Sequence, residues 1–410
     1  MKILGLMSGT SLDGIDVALL EVEEVAESYT SLPPNGGAGA LAPSLSWELL
    51  AVRTIPYTRV QRTSIQRAMS VGGVRDLALL HTRLGEWFAK AVLDLLEGAG
   101  VKPRDVAAVG SHGQTLWHEP PTPGVRGSSF QLGCPSTLAE RTGIGVVSDF
   151  RARDVAAGGH GAPLVPWADR VLFSSGVGPR ALQNLGGIGN VTWLPRAGDP
   201  TPILAFDTGP GVVLLDAAAS LATGGAASCD HDGQLARRGT VRRPILERLK
   251  AHPFFRQAPP RSTGREVFGP DMAADVAREL GEETGQVLAP GSPEEGWPDL
   301  LATLTALTAW SMGDAYRRWV LPRGVGEVFL MGGGARNPAL FSAISQELAP
   351  VPVRSGEALG MDPDAREAAA FALLAWAHLK GIPANVPEAT GSRGPRVLGS
   401  WTPGRVGGEP

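Results

Sequence analysis

Leu4-Gly5-Leu6-Met7-Ser8-Gly9-Thr10-Ser11-Leu12-Asp13-Gly14-Ile15-Asp16-Val17-Ala18-Leu19-Leu20 is the stretch that decides how the chain is read. The apolar run 3–7 meets a tight polar loop, 8–14, and a second apolar run, 15–20, follows at once. That order predicts strand, turn, strand. Gly9 and Gly14 let a ligand approach the backbone closely. Ser8, Thr10 and Ser11 add hydroxyl donors, and Asp13 can hold a cation or its water shell. These are the parts of a phosphate cradle built on a hairpin rather than at a helix start. The same residues also suit an ordinary turn, so the rest of the chain has to decide.

Working outward, Gln183-Asn184-Leu185-Gly186-Gly187-Ile188-Gly189-Asn190-Val191-Thr192-Trp193-Leu194 repeats the pattern of apolar strand, glycine turn, apolar strand. Two such hairpins, each starting one half of the chain, suggest a duplicated domain that grips one ligand from both sides. A third strand, 203–206, runs into Asp207-Thr208-Gly209-Pro210-Gly211, and 212–221 reads as a helix. A carboxylate at a strand end, facing a glycine turn and a helix start, is placed for general-base work beside an anion, with capping of that helix as the alternative. Farther on, strand 328–330 enters Met331-Gly332-Gly333-Gly334-Ala335-Arg336-Asn337 before another helix. Glycines in that position suit close approach by a nucleotide.

Two polar clusters follow other strands. Strand 106–109 is followed by a predicted loop, Gly110-Ser111-His112-Gly113-Gln114-Thr115. Strand 144–147 leads to Ser148-Asp149-Phe150-Arg151-Ala152-Arg153-Asp154 and the glycine-rich turn 158–163. Arginine forks match carboxylates and aspartate accepts sugar hydroxyls, so the second cluster suits an anionic, hydroxyl-rich substrate, with a surface salt-bridge network as the alternative. Helices are predicted over 74–97, 298–320 and 364–379, the last with Glu367 near its start. Segment 27–46 reads as loop, and the last ten residues as loosely held. A Ser111-His112-Asp207 hydrolase is excluded, because adjacent residues of an extended segment point to opposite sides. His112 and His118 read as turn and surface residues rather than a metal pair.

Composition narrows the classes. The 410 residues suffice for two domains of ordinary size, and the hydrophobic share of 43% is that of a soluble globular chain. No apolar run is long enough to cross a membrane, so no membrane partner is expected. Met1-Lys2 leads straight into the first strand, so no secretory signal is expected. Two cysteines, Cys134 and Cys229, are too few for a disulfide framework and suit a reducing cytoplasm. A net charge of −4 without a basic block makes nucleic acid an unexpected partner. Lysine occurs only at positions 2, 90, 102, 250 and 380, and none follows a glycine. A Walker-type lysine is therefore missing, and any phosphate must be held by backbone, hydroxyls, arginine and metal.

Residues 6–14, 110–115, 149–151, 158–166, 184–187, 206–211, 262–266 and 332–334 stand together in the order found in one family. With these motifs in register, the chain resembles the anhydro-N-acetylmuramic acid kinases of the sugar-kinase, Hsp70 and actin superfamily, from Leu4 to about Gly399. The resemblance implies an α/β, two-lobed actin-like (ribonuclease H-like) ATPase fold with a duplicated mixed-sheet core and a nucleotide cleft between the lobes. It places the first lobe at 1–148, with 363–410 returning to it, and the second at 149–362. It implies use of ATP, Mg²⁺ and water to open the ring of 1,6-anhydro-N-acetylmuramic acid and phosphorylate O6, in recycling of the cell wall, by a cytoplasmic homodimer.

Carried onto this sequence, the resemblance gives Gly9, Thr10, Ser11, Asp13, Gly14 and Asp16 to the first phosphate loop, with Asp13 at the metal. Gly187 and Asn190 fall in the second loop, and Gly332, Gly333 and Gly334 on the nucleotide side. Asp207 matches the catalytic aspartate. His112, Gln114, Asp149, Arg151, Arg153 and Glu367 fall in the sugar-side motifs. The chain departs from the family pattern at Val212, where asparagine is expected, at His160, often glutamine, and in the length of segment 27–46. Rival expectations are an ordinary hexose or N-acetylhexosamine kinase of the same fold, which consumes no water, and a non-enzymatic actin-like nucleotide-binding protein, which needs no sugar cluster.

Overall fold

The computed structural model describes residues 1–9, 12–25, 45–122, 124–292, 296–361 and 365–405. Thr10, Ser11 and nearly all of segment 27–46 lie outside the described residues, Leu45 and Ser46 already belonging to a strand. The chain divides into two compact units. One comprises Met1–Ser174, Gly198–Ile203 and Met361–Pro410, the other Ser175–Ala197 and Leu204–Gly360. The expected division at 148/149 thus falls inside the first unit.

In the first unit, β1 (Lys2–Ser8), β2 (Gly14–Glu24), β3 (Leu45–Pro56), β4 (Val106–Glu119), β5 (Ser128–Leu132) and β6 (Val146–Ser148) form one mixed sheet, joined at its edge by the chain's last strand, Ser400–Thr402. The order is β3-β2-β1-β4-β6, and β2 alone runs against the other four. Ile3, Leu4, Leu6 and residues 17–20 are all buried, because the sheet is covered on both faces. A two-sided burial asks for an unbroken apolar run, which is what the sequence supplies.

One cover is the helix Val74–Ala99, whose Leu80, Leu84, Phe88, Val92 and Leu95 recur at helical spacing and pack with Leu4, Leu6 and Leu19. The other is the alanine-rich helix Ala365–Leu379. It comes so close that a Cβ on Gly5 would overlap the Ala368 carbonyl oxygen, and one on Gly110 the Phe371 carbonyl oxygen. These two glycines are packing requirements of the sheet. A buried bidentate ion pair, Arg366 Nε to Asp169 Oδ1 at 2.8 Å and Nη2 to Oδ2 at 2.5 Å, ties the same helix to the helix Val165–Phe173.

The second unit repeats the order with β7 (Arg180–Leu185), β8 (Ile188–Leu194), β9 (Leu204–Pro210), β10 (Glu327–Met331) and β11 (Val353–Ser355) arranged β9-β8-β7-β10-β11, β8 alone antiparallel. The duplicated mixed-sheet core expected of an α/β actin-like fold is present. The core helix Gly296–Ala315 is buried almost all round, with Leu300, Leu304, Leu307 and Met312 inside.

Four local expectations are corrected. The loop 110–115 is strand: β4 runs on to Glu119, with Ser111 and Gln114 in register against Leu6 and Ser8 of β1, and Gln114 against Leu132 of β5. Asp207 to Pro210 are likewise part of β9. The helix predicted to Val320 ends at Ala315 and widens into a π-turn over Tyr316–Val320. Trp401 and Thr402 are not loose but pair with Val147 and Val146. Among the described residues no helix is long and apolar enough to cross a membrane.

Candidate active site

In the first unit the hairpin turn is tied down by Gln114 from within β4 and by Tyr57 just past β3. Ser8 Oγ donates to Gln114 Oε1 at 2.6 Å, so its lone pair takes the Tyr57 hydroxyl proton at 2.7 Å. Gln114 Nε2 in turn donates to the Gly9 carbonyl at 3.2 Å. Gln114 therefore shapes the loop from beneath. Leu12 follows with φ of 58°, a left-handed conformation that β-carbon sterics disfavour by roughly 1–2 kcal/mol. Gly14 is demanded by β3, since a Cβ there would stand 2.7 Å from the Ile55 carbonyl oxygen. Asp13 is exposed at the turn, while Asp16, on β2, accepts the Thr54 hydroxyl at 2.5 Å.

Beside that loop lies an ordered arginine. Arg151 donates from Nε to His112 Nε2 at 3.0 Å and from Nη1 to the Gly161 carbonyl at 2.7 Å. The His112 Nδ1 stands 2.8 Å from the Gly113 carbonyl, which can only accept, so His112 is the neutral Nδ1–H tautomer. Burial, aided by Arg151, pushes its imidazolium down to about 3. Both His112 nitrogens are thereby spent on protein partners. Of the five guanidinium N–H groups of Arg151, three have no hydrogen-bond partner among the described residues. Asp149 sits exposed with φ of 56°, its carboxyl raised by desolvation. Arg153 is exposed on the short helix Ala152–Ala156. Glu367 is open to solvent in the first turn of its helix, yet crowding by protein raises its carboxyl against the pull of Arg366 and Arg151. The Asp169 and Asp13 carboxylates raise it further.

In the second unit the β7–β8 turn, Gly186 and Gly187, accepts three backbone N–H groups from the next loop, those of Gly211, Val212 and Val213, at 2.9–3.1 Å. A Cβ on Gly211 would overlap the Gly186 carbonyl oxygen, and one on Gly334 would come within 2.6 Å of Val212 Cγ1. Gly332 has φ of 79° and abuts Asn184 and Leu185. Gly211 thus packs on the Gly186–Gly187 turn, Gly332 and Gly334 pack on Asn184 and Leu185 just before it, and Gly333 faces open space. Val212, in place of the expected asparagine, packs on Gly334 and gives the helix Val213–Ala222 no side-chain cap. Asn190 does not lie in the turn. It stands on β8 directly across from Asp207 on β9.

Asp207 is half-buried. Its Oδ2 accepts the Thr263 N–H at 2.9 Å, and its carbonyl accepts Arg261 Nε at 2.9 Å. Desolvation pushes its carboxyl up to about 6, partly offset by the Thr263 bond and Arg261 and helped by Glu266. A carboxylate so poised changes protonation near neutral pH, as a general base must.

With this geometry in view, the sequence model of the family described as anhydro-N-acetylmuramic acid kinase matches residues 1–404. The chain belongs to the anhydro-N-acetylmuramic acid kinase family. It is 41% identical over 403 residues to the family member of Gloeobacter violaceus, covering 98% of both chains. It is 40% identical to that of Caldanaerobacter subterraneus subsp. tengcongensis, covering 97% of this chain and 96% of the relative. The Salinibacter ruber member is 40% identical over 97% of this chain and 95% of its own. The chain is therefore an enzyme, a kinase.

Sequence reading missed what holds this kinase's arginine in place. Asp154 is fully buried and accepts from Gly161 N–H at 2.9 Å, Asn385 Nδ2 at 2.8 Å and the Thr390 hydroxyl at 2.8 Å. Gly161 is the residue whose carbonyl holds Arg151, so Asp154 and the C-terminal segment set that guanidinium indirectly. Asp154 lay inside a cluster that the sequence had marked. Its partners Asn385 and Thr390, more than two hundred residues on, carried no signal.

Proposed function

We propose that this kinase transfers the γ-phosphoryl group of ATP to O6 of 1,6-anhydro-N-acetylmuramic acid while water opens the bridge at C1, giving N-acetylmuramate 6-phosphate for peptidoglycan recycling. The observation that carries the reading is Asp207, a desolvated carboxylate raised to about 6 with one oxygen fixed by Thr263. Its Oδ1 is the oxygen that receives the water proton. The water oxygen bonds to C1 as the C1–O6 bond breaks, O6 takes the phosphoryl group, and ADP leaves. Gly9, Thr10, Ser11 and Gly14 of the first hairpin, Gly187 of the second, and Gly332, Gly333 and Gly334 after β10 would supply backbone and hydroxyl donors to the phosphates. Arg151, with Asp149 and Arg153, takes the carboxylate and hydroxyls of the sugar, and His112 and Gln114 serve by orienting Arg151 and the first hairpin.

Among the described residues no group of three carboxylates, histidines or cysteines could hold a metal by protein ligands alone. Asp13, exposed at the turn of the first hairpin, would hold an ion of the Mg²⁺ type, which keeps waters and phosphates as its remaining ligands, and Glu367 stays with the sugar side. When bound, Mg²⁺ neutralises phosphate charge. A cytoplasmic homodimer rests on the family resemblance and belongs to the same proposal.

The test is ATP consumption with the anhydro sugar, open-ring N-acetylmuramate, N-acetylglucosamine and glucose offered separately. Turnover confined to the anhydro sugar supports the reading. Open-ring N-acetylmuramate used as fast as the anhydro sugar would move it to an ordinary sugar kinase.

A further inference from the structure

Phosphoryl transfer needs positive charge near the moving group, and the lysines do not supply it. Lys2, Lys90, Lys250 and Lys380 are paired with Glu21, Asp94, Glu247 and Glu24, at 3.4, 2.7, 2.8 and 2.5 Å. Lys102, the fifth, precedes a short turn ahead of β4. At the second hairpin the cation is an arginine. A Cβ placed on Gly187 would stand 3.8 Å from Arg265 Nη2 and 3.9 Å from its Nε. The guanidinium therefore lies over the bare backbone of the turn.

The loop that carries Arg265 is also the loop that holds the base. Thr263 N–H fixes Asp207 Oδ2, and Val267 and Phe268 donate to the Gly264 carbonyl at 3.1 and 3.0 Å, closing a tight turn around Arg265. Gly269 packs against the Arg265 carbonyl so closely that any side chain there would overlap it. The backbone of Arg265 is thus clamped while its side chain stays exposed. Its charged neighbours are Asp216, in the first turn of the helix Val213–Ala222, and Glu266, which folds back on Gly264.

We propose that Arg265 is a catalytic residue that donates its guanidinium N–H groups to the oxygens of the transferring phosphoryl group at Gly187, so that one five-residue loop, 262–266, places both the water-activating carboxylate and the phosphoryl-stabilising cation. The inference rests on the reading of the second hairpin as a phosphate loop. Arginine suits the task because its planar fork matches phosphate oxygens and stays charged at any working pH.

The experiment uses the full-length enzyme with ATP and the anhydro sugar. Arg265→Ala lowers kcat by roughly 10²–10³-fold, the usual loss for one transition-state donor, while the Kd for ADP stays at the parent value. Guanidinium chloride at millimolar concentration restores part of the Arg265→Ala rate and none of the Asp207→Asn rate, which a folding defect could not mimic. Asp216→Asn, which removes only the charged neighbour, keeps kcat near the parent. Gly187→Ala fits the fold, since its Cβ makes only ordinary contacts, but blocks the turn and weakens ADP binding. Parental kcat in Arg265→Ala together with weakened ADP binding in Gly187→Ala would overturn the role of Arg265 alone. Parental ADP binding in Gly187→Ala would overturn the hairpin reading and this inference with it. Equal losses in Asp216→Asn and Arg265→Ala, without guanidinium rescue, would reduce the arginine to a structural ion pair.

Discussion

Asp207→Asn separates the catalytic role proposed for this carboxylate from what it costs the fold. The carboxyl moves from 3.8 to about 6 in the native chain, mainly because it is desolvated. At about 1.4 kcal/mol per unit that is roughly 3 kcal/mol, and the half-exposed position reduces it to about 1–3 kcal/mol. A raised carboxyl keeps its proton longer in the folded than in the unfolded chain. Unfolding therefore releases a proton between about pH 4 and 6, and stability falls as pH rises through that window. Asparagine has no such dependence. The variant should gain thermal stability relative to the parent between pH 4 and pH 7, by an amount equivalent to about 1–3 kcal/mol, while kcat falls by roughly 10²–10⁴-fold. The parent's kcat should lose about tenfold per pH unit below about 6, where Asp207 protonates. Matched thermal melts of both proteins across pH 4–8, with initial rates at each pH, test both halves. A constant difference in melting temperature, or a variant within tenfold of the parent rate, would refute the placement of a desolvated base at Asp207.

Arg151→Ala should raise the sugar KM and leave the ATP KM nearly unchanged in steady-state assays, and Asp149→Asn, which tolerates the left-handed backbone at that position, should do the same. His112→Phe, which removes the acceptor for Arg151 Nε, should shift the sugar KM in the same direction and by less. Arg366→Met strands the buried Asp169 carboxylate and should cost about 3–5 kcal/mol, read by denaturant unfolding, with much of the loss recovered when Asp169 is replaced by leucine as well.

The two hairpins were legible because each sets a glycine-containing turn between two largely apolar runs, the pattern of paired strands in a covered sheet. The course of β4 through Ser111, His112 and Gln114 was not, since polar residues in sequence suggest solvent. Here the polarity is absorbed inside the protein, by Ser8 and Gly9 for Gln114 and by Arg151 for His112. Asp207 was legible as a carboxylate beside a glycine turn, but its raised affinity for protons comes from burial in the folded chain, partly offset by Thr263 and Arg261, more than fifty residues away. The supports of Arg151 were hidden for the same reason. Asp154 meets Asn385 across 231 residues and Asp169 meets Arg366 across 197, and no local pattern records such partners. Gly5 read as an ordinary strand residue and Gly110 as the start of a loop. The approach of the terminal helix explains them.

The central claim is that Asp207 sends water to C1 while O6 takes the phosphoryl group, and the fate of the water oxygen tests it most directly. The reaction is run in ¹⁸O-labelled water with the anhydro sugar and ATP, and the product is analysed by mass spectrometry before the free anomeric hydroxyl can exchange. The account predicts one ¹⁸O at the C1 hydroxyl of the phosphorylated sugar and none in its phosphate. Label in the phosphate, or an unlabelled C1 hydroxyl at the shortest times, would contradict it.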